Sequence, residues 1–488
     1  MKQSFGNGSR GPRSIFGKCA VPDAMNRSLV LVILLATVGL VSCGRNNGGS
    51  GSGTPTPSTG TLGEWAWVNG SNAIGQAGTY GVQGTAAPGN VPGARSSSVA
   101  WTDASGDFWL FGGIGHDSTG AILPLNDLWK FSRGQWTWMG GSNIGDQPGN
   151  YGTQGVAAPS NIPGGRWNAL GWTDAAGSLW LFGGFGLDVG TPFAADLSDL
   201  WRYSAGQWTW MSGPRLSNQV GSYGTQGVAL PGNVPGARAG AIGWADAAGN
   251  LWLFGGVGFD SNGINGSLND LWKYKSSQWT WVGGSSVADQ PGIYGEQGVA
   301  AASNIPASRS FAVAWSDASG SFWLFGGSTL DSSGAERDLN DLWSYSSGYW
   351  TWVSGSNVAG QPGVYGTQGV PSAGSFPGAR DSAVAWIDSA GNLWLFGGET
   401  PGSGGFSLND LWSYAAGQWT WIGGADTVNE VATYGTVGIE AAGNTPGARD
   451  SAVGWSDASG SLWLFGGYGL DSGHVKQGNL NDLWKFRP

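Results

Sequence analysis

The stretch LWLFGG at residues 251–256 decides the fold, together with LNDLWKY at 268–274 and QWTW at 278–281. Close copies of this set occur six times in the 488 residues. The second glycine of each pair lies at Gly113, Gly184, Gly256, Gly327, Gly398 and Gly467, which gives steps of 71, 72, 71, 71 and 69 residues. A fixed period of this kind indicates a repeat architecture.

Each copy predicts four short strands and no helix. In the first copy we place strand a at 97–101, strand b at Phe108–Phe111, strand c at 126–131 and strand d at 135–139. Aromatic and β-branched runs between Gly and Asn/Asp turns are typical of strands and hairpins. Both faces of strand b are apolar, so each antiparallel sheet has to be covered on both sides. Similar sheets stacked radially do this, which predicts an all-β fold, a six-bladed β-propeller.

The order of motifs within a copy resembles the kelch repeat. It runs Pro-Gly-Ala-Arg, an aliphatic strand, Leu-Trp-Leu-Phe-Gly-Gly, Asn-Asp-Leu-Trp-x-Tyr and Trp-x-Trp, and it extends from Glu64 to the C-terminus. The resemblance implies a kelch-type propeller, similar to the one in galactose oxidase. The copies are longer than a kelch repeat of about 50 residues, and the excess lies mainly in the loop from strand d to the next strand a.

The two ends of the repeat region predict how the ring closes. The chain enters on EWAWV at 64–68, a strand d without its partners, and ends on LNDLWKF at 480–486, a strand c without its strand d. We expect these two strands to pair and complete the sixth blade, which removes two exposed edges. One propeller domain, with four antiparallel strands in each blade, is therefore expected over residues 62–488.

The N-terminal residues predict export. Residues 1–42 have the pattern of a signal peptide region, with Met25 as the expected true start and a 12-residue apolar stretch at 29–40 that is too short to span a bilayer. The sequence LVSC at 40–43 resembles a bacterial lipobox, which implies that Cys43 carries a lipid. A plain signal peptide or an uncleaved interfacial segment is the alternative.

A flexible linker is expected to follow the lipid. Residues 43–61 are rich in Gly, Ser, Thr and Pro, a composition typical of a tether. Gly44, rather than Asp, follows Cys43, and by resemblance to known sorting rules this implies the outer membrane or the cell surface. The expected location is therefore the cell envelope, with membrane contact through the lipid anchor only.

The charge balance excludes a nucleic-acid partner. The net charge is −10, and cleavage before Cys43 removes five of 22 bases and one of 32 acids, which gives −14. Nucleic-acid-binding domains carry a basic stripe instead. Cys19 and Cys43 are the only cysteines, so no disulfide is expected in the propeller, which we expect to be a monomer held by packing alone.

Two charged positions recur in every copy and are expected to be structural, since a feature repeated in every blade serves the blade. An arginine opens each strand a, and we expect it to bond carboxylates or loop carbonyls in a partly buried position. The arginines are Arg95, Arg166, Arg238, Arg309, Arg380 and Arg449. An aspartate lies in each strand c, at Asp127, Asp199, Asp270, Asp341, Asp410 and Asp482.

Three further motifs have a structural and a chemical interpretation. The Asp-x-x-Gly at Asp103 predicts a tight turn rather than a sialidase Asp-box, in which the spacing is one shorter. Loops such as 112–117 (GGIGHD) match the start of a calcium nonapeptide, but their wide spacing excludes a stacked β-roll. A polar hairpin loop is expected there, and an isolated calcium is the alternative.

The histidines do not support a copper centre. His116 and His474 are the only two in the chain, and both fall in b-to-c loops, whereas galactose oxidase holds copper with Tyr and His beside a Cys–Tyr cross-link. We therefore expect no metal, no cofactor, no copper oxidase activity and no assigned catalytic residue.

Function is expected where the repeat is broken. Trp167 follows Arg166 and is the one tryptophan of 31 outside the repeat pattern, while Asp381 and Asp450 hold the same post-arginine position in later copies. A tryptophan and two acids around a channel mouth can stack on a sugar ring and bond its hydroxyls. Loop packing by Trp167 is the alternative.

The d-to-a loops, of about 25 residues with an internal Tyr-Gly, are expected to share one face with the b-to-c loops, and long ordered loops are frequent functional sites. The expected function is non-catalytic binding of a glycan or protein ligand at this face. The alternatives are a lyase, epimerase or hydrolase acting on cell-surface sugars through paired carboxylates such as Asp381 and Asp450, and a structural envelope component without a small ligand.

Overall fold

The structure is a computed structural model that describes residues 63–190, 193–317, 319–400, 406–473 and 476–488. The chain divides into Met1–Thr59 and Gly60–Pro488, and every described residue belongs to the second part. The expected signal peptide, Met25, Cys43 and the linker of 43–61 lie outside the described residues. Strands, turns and bends account for all the regular structure described, and within that part of the chain no helix is long and apolar enough to cross a membrane.

The strands are short and follow the repeat. In chain order they are β1 (Trp65–Asn69), β2 (Arg95–Ser96), β3 (Val99–Thr102), β4 (Phe108–Phe111), β5 (Ile114–His116), β6 (Ile122–Pro124), β7 (Leu128–Ser132), β8 (Gln135–Gly140), β9 (Arg166–Trp167), β10 (Leu170–Thr173), β11 (Leu179–Gly186), β12 (Ala195–Ser204), β13 (Gln207–Ser212), β14 (Arg238–Ala239), β15 (Ile242–Ala245), β16 (Leu251–Phe259), β17 (Asn265–Lys275), β18 (Gln278–Gly283), β19 (Val313–Ser316), β20 (Phe322–Phe325), β21 (Ser328–Leu330), β22 (Glu336–Asp338), β23 (Leu342–Ser346), β24 (Tyr349–Ser354), β25 (Val384–Ile387), β26 (Leu393–Glu399), β27 (Ser407–Ala415), β28 (Gln418–Gly423), β29 (Glu440–Ala441), β30 (Arg449–Asp450), β31 (Val453–Ser456), β32 (Leu462–Phe465), β33 (Tyr468–Leu470), β34 (Gln477–Asn479) and β35 (Leu483–Phe486).

These strands build antiparallel sheets in which strands a, b, c and d lie side by side, so the fold is all-β. In chain order the main sheets in the described residues are sheet 1 (β3-β4-β7-β8), sheet 2 (β10-β11-β12-β13), sheet 3 (β15-β16-β17-β18), sheet 4 (β19-β20-β23-β24), sheet 5 (β25-β26-β27-β28) and sheet 6 (β31-β32-β35-β1). Three small sheets, β2-β5-β6, β21-β22 and β30-β33-β34, belong to the same copies as sheets 1, 4 and 6 and are counted with them. Because the strands alternate in direction, the a-to-b and c-to-d turns share one end, the turn end. The b-to-c and d-to-a loops share the other end, the loop face.

The first strand of the described chain pairs with the last one. In sheet 6, β1 runs antiparallel to β35, with Trp65 opposite Phe486 and Trp67 opposite Trp484. The ring of Trp65 packs edge-on against Trp484, with the ring centroids 6.4 Å apart. The pairing expected between the unpartnered strand d and the unpartnered strand c is therefore present.

A closed cycle of backbone hydrogen bonds joins the innermost strands. The N–H of Ser97 donates to the carbonyl of Ser451, at 2.8 Å. The other members are Asn168 to Ser97, Gly240 to Asn168, Phe311 to Gly240, Ser382 to Phe311 and Ser451 to Ser382. All six residues have left-handed φ angles between 51° and 62°, a costly conformation for L-residues that a repeated local hydrogen bond helps to offset.

This cycle corrects the prediction for strand a. We expected one strand at 97–101, but Ser97 at φ 57° ends β2, and β3 begins at Val99. Strand b of the first copy was expected at Phe108–Phe111, before the Gly-Gly pair, and β4 has these bounds. In sheets 2, 3 and 5 the strand instead continues through the pair, with a register shift at the glycines, whose positive φ angles suit a bulge.

The apolar core lies between neighbouring sheets. Each of six clusters of buried side chains combines two of them, including one that joins sheet 6 to sheet 1 through Trp455 and Phe108. The strand c tryptophans are fully buried, with 0% exposure for Trp129, Trp201, Trp272, Trp343, Trp412 and Trp484. Both faces of each sheet are thus covered, as the two-sided apolar pattern of strand b requires.

Candidate functional site

The repeated arginines lie in buried ion pairs at the loop-face end of each sheet. Arg95 donates from Nη1 and Nη2 to Asp127 Oδ1 and Oδ2, both at 2.7 Å, and from Nε to the carbonyl of Gly93 at 2.9 Å. The same pairs are Arg166–Asp199, Arg238–Asp270, Arg309–Asp341, Arg380–Asp410 and Arg449–Asp482. The arginines are 1% exposed, so they are fully buried rather than partly buried as expected.

Each of these carboxylates also accepts from two aromatic side chains. The Tyr80 hydroxyl donates to Asp127 Oδ2 at 2.7 Å, and Trp129 Nε1 donates to the same oxygen at 2.7 Å. Burial, the negative Asp127 and the bond between them raise the pKa of Tyr80 above its ordinary range. The corresponding tyrosines are Tyr151, Tyr223, Tyr294, Tyr365 and Tyr434. One Arg–Asp–Tyr–Trp group therefore recurs in every copy.

The long d-to-a loops are bound to the sheets over much of their length. Besides the tyrosine, Gly84 donates its N–H to the carbonyl of Trp138 at 2.8 Å, and Asn90 Nδ2 donates to the carbonyl of Trp136 at 3.2 Å. These bonds cover the outer edge of strand d, which would otherwise present unpaired backbone groups. Much of the loop length thus has a structural use, and length alone does not locate the site.

The other motifs with two interpretations also form local structure. Asp103 Oδ2 accepts from Trp109 Nε1 at 2.8 Å inside the a-to-b turn. Asp117, in the calcium-like loop, accepts from the N–H groups of Thr119 and Ala121 and from Gly145 in the neighbouring d-to-a loop. His116 Nδ1 lies 3.0 Å from the carbonyl of Gly120, and His474 lies outside the described residues.

At one set of aligned positions at the loop face, the residue types differ between the six sheets, while the residues around these positions repeat. It consists of three cross-strand neighbours: the residue after the repeated arginine, the residue after Gly-Gly, and one residue at the start of strand c. We call this set the variable layer. Its members are Ser96, Ile114 and Pro124; Trp167, Phe185 and Asp196; Ala239, Val257 and Ser267; Ser310, Ser328 and Asp338; Asp381, Glu399 and Ser407; and Asp450, Tyr468 and Asn479.

Trp167 belongs to this layer on sheet 2. It is opposite Phe185, and the two rings pack with centroids 4.9 Å apart at 58°. Asp196, the third member on this sheet, is 3% exposed. Asn265 Nδ2 of sheet 3 donates to its Oδ2 at 3.0 Å, whereas its Oδ1 is buried without a hydrogen-bond partner. Burial raises the pKa of Asp196 to about 7, against opposing effects of Asn265 and Arg238.

The acids of the layer lie on sheets 4, 5 and 6. Asp381 is opposite Glu399 in sheet 5, and the Asp450 carboxylate of sheet 6 accepts from Ser407 Oγ of sheet 5 at 2.9 Å. Asp338 of sheet 4 is 5% exposed. The structure thus places the two predicted acids, Asp381 and Asp450, on adjacent sheets. No hydrogen bond or ring contact between described residues joins them to Trp167.

Burial and mutual repulsion shift the proton affinities of these acids. Burial and the negative charges of Glu399 and Glu336 raise the pKa of Asp338 to about 7. Burial and Glu399 raise the pKa of Asp450 to about 7, although Ser407 and Ser451 lower it. Burial, Asp338 and Glu399 raise the pKa of Asp381 well above its ordinary value. Asp338 and Asp450 therefore carry a proton part of the time near neutral pH, and burial and the neighbouring acids disfavour the charged form of Asp381 as well.

A cavity opens beside the acids. It has a volume of about 190 Å³, and its lining includes all six residues of the hydrogen-bond cycle. Ser382 and Ser451, which directly follow Asp381 and Asp450, are two of them. The Phe311 ring lies over Gly240 in the same cavity, since a Cβ on Gly240 would meet its Cε1 at 2.5 Å.

Asp338, Asp196 and Glu399 are acids of the layer that the sequence reasoning missed. Each breaks the repeat at a fixed offset from a motif: Glu399 follows Gly397-Gly398, and Asp338 and Asp196 lie three residues before the strand c aspartate. With the six copies of the repeat aligned, comparison of all three positions of the variable layer, instead of the position after the arginine alone, would have found these acids.

No protein-family model matches the sequence, and no curated protein is significantly similar to it. Among solved structures, YjhT is similar over 80% of this chain and 95% of its own, at 15% identity and a TM-score of 0.46. A fungal alcohol oxidase of the AA5 family in complex with copper is similar over 83% of this chain and 77% of its own, at 12% identity and a TM-score of 0.43. Both TM-scores lie below 0.5, so we base neither fold nor function on these two likenesses.

Proposed function

We propose that the chain is an exported, lipid-anchored, six-bladed kelch-type β-propeller that binds a glycan or protein ligand, without catalysis, through its loop face. The observation that carries the binding role is the variable layer. A residue that repeats in every blade serves the structure of the blade, whereas residues that differ between otherwise constant repeats cannot have such a common structural role and are candidates for ligand contacts. Here they concentrate acids on sheets 4 to 6 and place an aromatic pair, Trp167 and Phe185, on sheet 2.

Three features support the closed six-bladed ring. The backbone hydrogen-bond cycle returns from Ser451 to Ser97, and β1 pairs with β35. In addition, the innermost strands contact one another in the order β3, β10, β15, β19, β25 and β31, with β31 again against β3. In a propeller the sheets stack radially in this way.

The position of the first described residue favours a binding face directed away from the membrane. Gly63 donates its N–H to the carbonyl of Arg487, beside the C-terminus. Lys485 lies 3.6 Å from Asp457 in an a-to-b turn, so this region is the turn end. A tether attached here to a lipid on Cys43 would leave the loop face open to ligands in the medium. Incorporation of a labelled fatty acid, abolished by Cys43→Ser, tests the anchor.

Binding can be tested on the full chain in detergent with a glycan array. We expect Trp167→Ala and Asp381→Asn to weaken the binding of a glycan that the wild type retains, because stacking and hydroxyl bonding are each lost. Tyr349→Ala, which removes an exposed aromatic residue at the turn end, is the matched control and should bind like the wild type. Equal loss in all three variants would contradict a site in the variable layer.

A carbohydrate-active enzyme, of the lyase, epimerase or hydrolase type, is the second candidate. The observation that favours it is the position of Asp450, with a pKa raised to about 7 by burial and Glu399, on the sheet next to that of Asp381, whose pKa is also raised. A carboxyl that is protonated part of the time near neutral pH can donate a proton to a leaving group. Chromatography of a bound glycan after prolonged incubation tests it. Turnover by the wild type that Asp381→Asn abolishes, with binding retained, would establish the enzyme.

A further inference from the structure

Exposed apolar side chains stand on the b-to-c loops at the loop face. Other exposed apolar residues, such as Val156 and Leu230, lie in d-to-a segments that run beside strand d, so they are not counted with this surface. The b-to-c loops carry Ile122 on sheet 1, Ile264 on sheet 3, Phe406 on sheet 5 and Tyr468 on sheet 6. Exposed apolar residues gathered on one side of a protein indicate an interaction surface.

These apolar residues stand next to the acids of the variable layer. Tyr468 is the cross-strand neighbour of Asp450 and is 39% exposed. Phe406, 44% exposed, directly precedes the serine that donates to Asp450. Ile264, 57% exposed, directly precedes the asparagine that donates to Asp196. Three of the four apolar residues therefore belong to the variable layer or directly precede a residue that hydrogen-bonds to one of its acids.

The loops that carry them are joined to one another. Ser118 in a b-to-c loop donates its N–H to the carbonyl of Asn143 in a d-to-a loop at 2.9 Å, and Ser261 donates to Ser286 at 3.0 Å. Such bonds between the two loop types fix the surface before a partner arrives, which reduces the ordering cost of association.

The negative charge of this surface has few cations near it. None of the ion pairs between described residues involves Asp338, Asp381 or Asp450, whereas the strand c aspartates all pair with arginine. Arg337, which directly precedes Asp338 in a b-to-c loop, pairs with Asp331 at 3.3 Å, and other cations lie at the turn end, such as Lys130 beside Asp107 at 2.6 Å. Positive charge would therefore have to come from a partner, and charge complementarity of this kind selects the partner.

We propose that the loop face binds a protein partner that inserts a lysine or arginine side chain among Asp338, Asp381 and Asp450 and covers the apolar residues around them. This inference deepens the proposed binding function and depends on it. A protein is favoured over an amine-bearing sugar because Ile122, Ile264, Phe406 and Tyr468 stand on four different sheets. Only an extended apolar surface covers all of them, and a basic residue within an apolar contact is typical of protein interfaces.

The test uses the full chain and two labelled short peptides that alternate leucine with lysine or, in the matched peptide, leucine with glutamate. Binding is measured by fluorescence anisotropy of the labelled peptide. Physiological ionic strength screens the long-range attraction between the acidic protein and any cation. The variant Asp338→Asn/Asp381→Asn/Asp450→Asn removes three carboxyls of the layer. The control Glu64→Gln/Glu296→Gln/Asp426→Asn removes three acids outside it, and thermal unfolding of both variants checks their folding.

We expect the lysine peptide to bind the wild type, to lose about tenfold or more in affinity to the layer variant and to bind the control like the wild type. The amide variant should fold, because each amide replaces a carboxyl whose charged form burial disfavours. Equal binding of both peptides, equal weakening in both variants, or no peptide binding would each overturn the inference.

A third probe, a glucosamine oligosaccharide, separates the two ligand classes. If it binds through the three aspartates and the peptide does not, the ligand is an amine-bearing glycan and the protein partner is excluded. If neutral glycans bind through Trp167 while every cationic probe fails, the proposed binding function stands and the inference falls. If no glycan and no peptide binds the wild type, both are overturned.

Discussion

Ser97 donates its backbone N–H to the carbonyl oxygen of Ser451 at 2.8 Å, which joins the innermost strands of the first and the last copy of the repeat. The bond is one of six identical links, and each donor residue has a left-handed φ. The link therefore depends on a conformation that most side chains disfavour. Only Gly240 among the six lacks a Cβ, so it is the position at which the cycle is most easily probed.

Gly240→Ala should destabilise the protein by about 2 kcal/mol or more. About 1 kcal/mol comes from an alanine at left-handed φ, and the remainder comes from the contact of its Cβ with the Phe311 ring. Phe311→Ala should relieve the second part only, so the double variant should be more stable than the two single losses combined predict. Urea unfolding of the four proteins measures this, and strictly additive losses would contradict the close contact.

The alternation of apolar residues and the spacing of the glycines were sufficient to predict four strands in each copy, but not all of their ends. The left-handed residue between β2 and β3 could not be predicted, because Ser97, Asn168 and Phe311 share no side-chain chemistry. Their conformation is set by a hydrogen bond to the corresponding residue of the adjacent sheet, which lies in another copy of the repeat. The pairing of the arginines with aspartates could be predicted from their recurrence in every copy of the repeat. The tyrosine that donates to the same aspartate lies in a loop whose path the sequence does not specify.

The candidate site was predicted only in part. Comparison of the residues that follow the repeated arginines identified Trp167, Asp381 and Asp450 as candidates. The structure places all three in the variable layer. Asp338 comes close to Asp381 from the neighbouring sheet, and Glu399 comes close to it from the neighbouring strand. The first proximity depends on how the sheets pack, and the second depends on the strand register. Whether Trp167 contacts the acids likewise depends on the arrangement of the sheets, which the sequence does not give.

Trp65→Ala should cost about 3–5 kcal/mol of unfolding free energy. Trp65 is 6% exposed, packs on Trp484 and Phe486, and lies in the strand that joins the two ends of the repeat region. Tyr349→Ala, which removes an aromatic ring that is 48% exposed, should change the unfolding free energy by less than about 0.5 kcal/mol. A loss for Trp65→Ala no larger than that of the control would mean that β1 adds little to the fold.

Arg238→Met should cost about 3–5 kcal/mol, because it leaves the Asp270 carboxylate buried without its cation. Tyr223 and Trp272 still donate to that carboxylate, but they are neutral. The double variant Arg238→Met/Asp270→Asn should lose less than the two single variants combined, since no uncompensated charge remains. Chemical unfolding of the wild type, the two single variants and the double variant gives the coupling free energy between Arg238 and Asp270. Lys275→Met, at an exposed position, is the control for removal of a positive charge.

Asp196→Asn should stabilise the protein increasingly as the pH rises from about 4 to 7. Burial raises the pKa of Asp196 from 3.8 to about 7, so between these values the folded state holds a proton that the unfolded state has released. Stability that depends on this proton is present at low pH and is lost as the pH rises through the folded-state pKa. The asparagine variant has no such loss, so its advantage should grow by up to about 4 kcal/mol and level off above pH 7.

Urea unfolding of wild type and Asp196→Asn at several pH values measures this difference, and the other acids cancel because both proteins contain them. Asn265 and Arg238 oppose the shift, so Asn265→Ala should extend the pH-dependent loss of stability to higher pH. A pH-independent difference for Asp196→Asn would mean that Asp196 is charged in the fold and that its Oδ1 has a hydrogen-bond partner in solution.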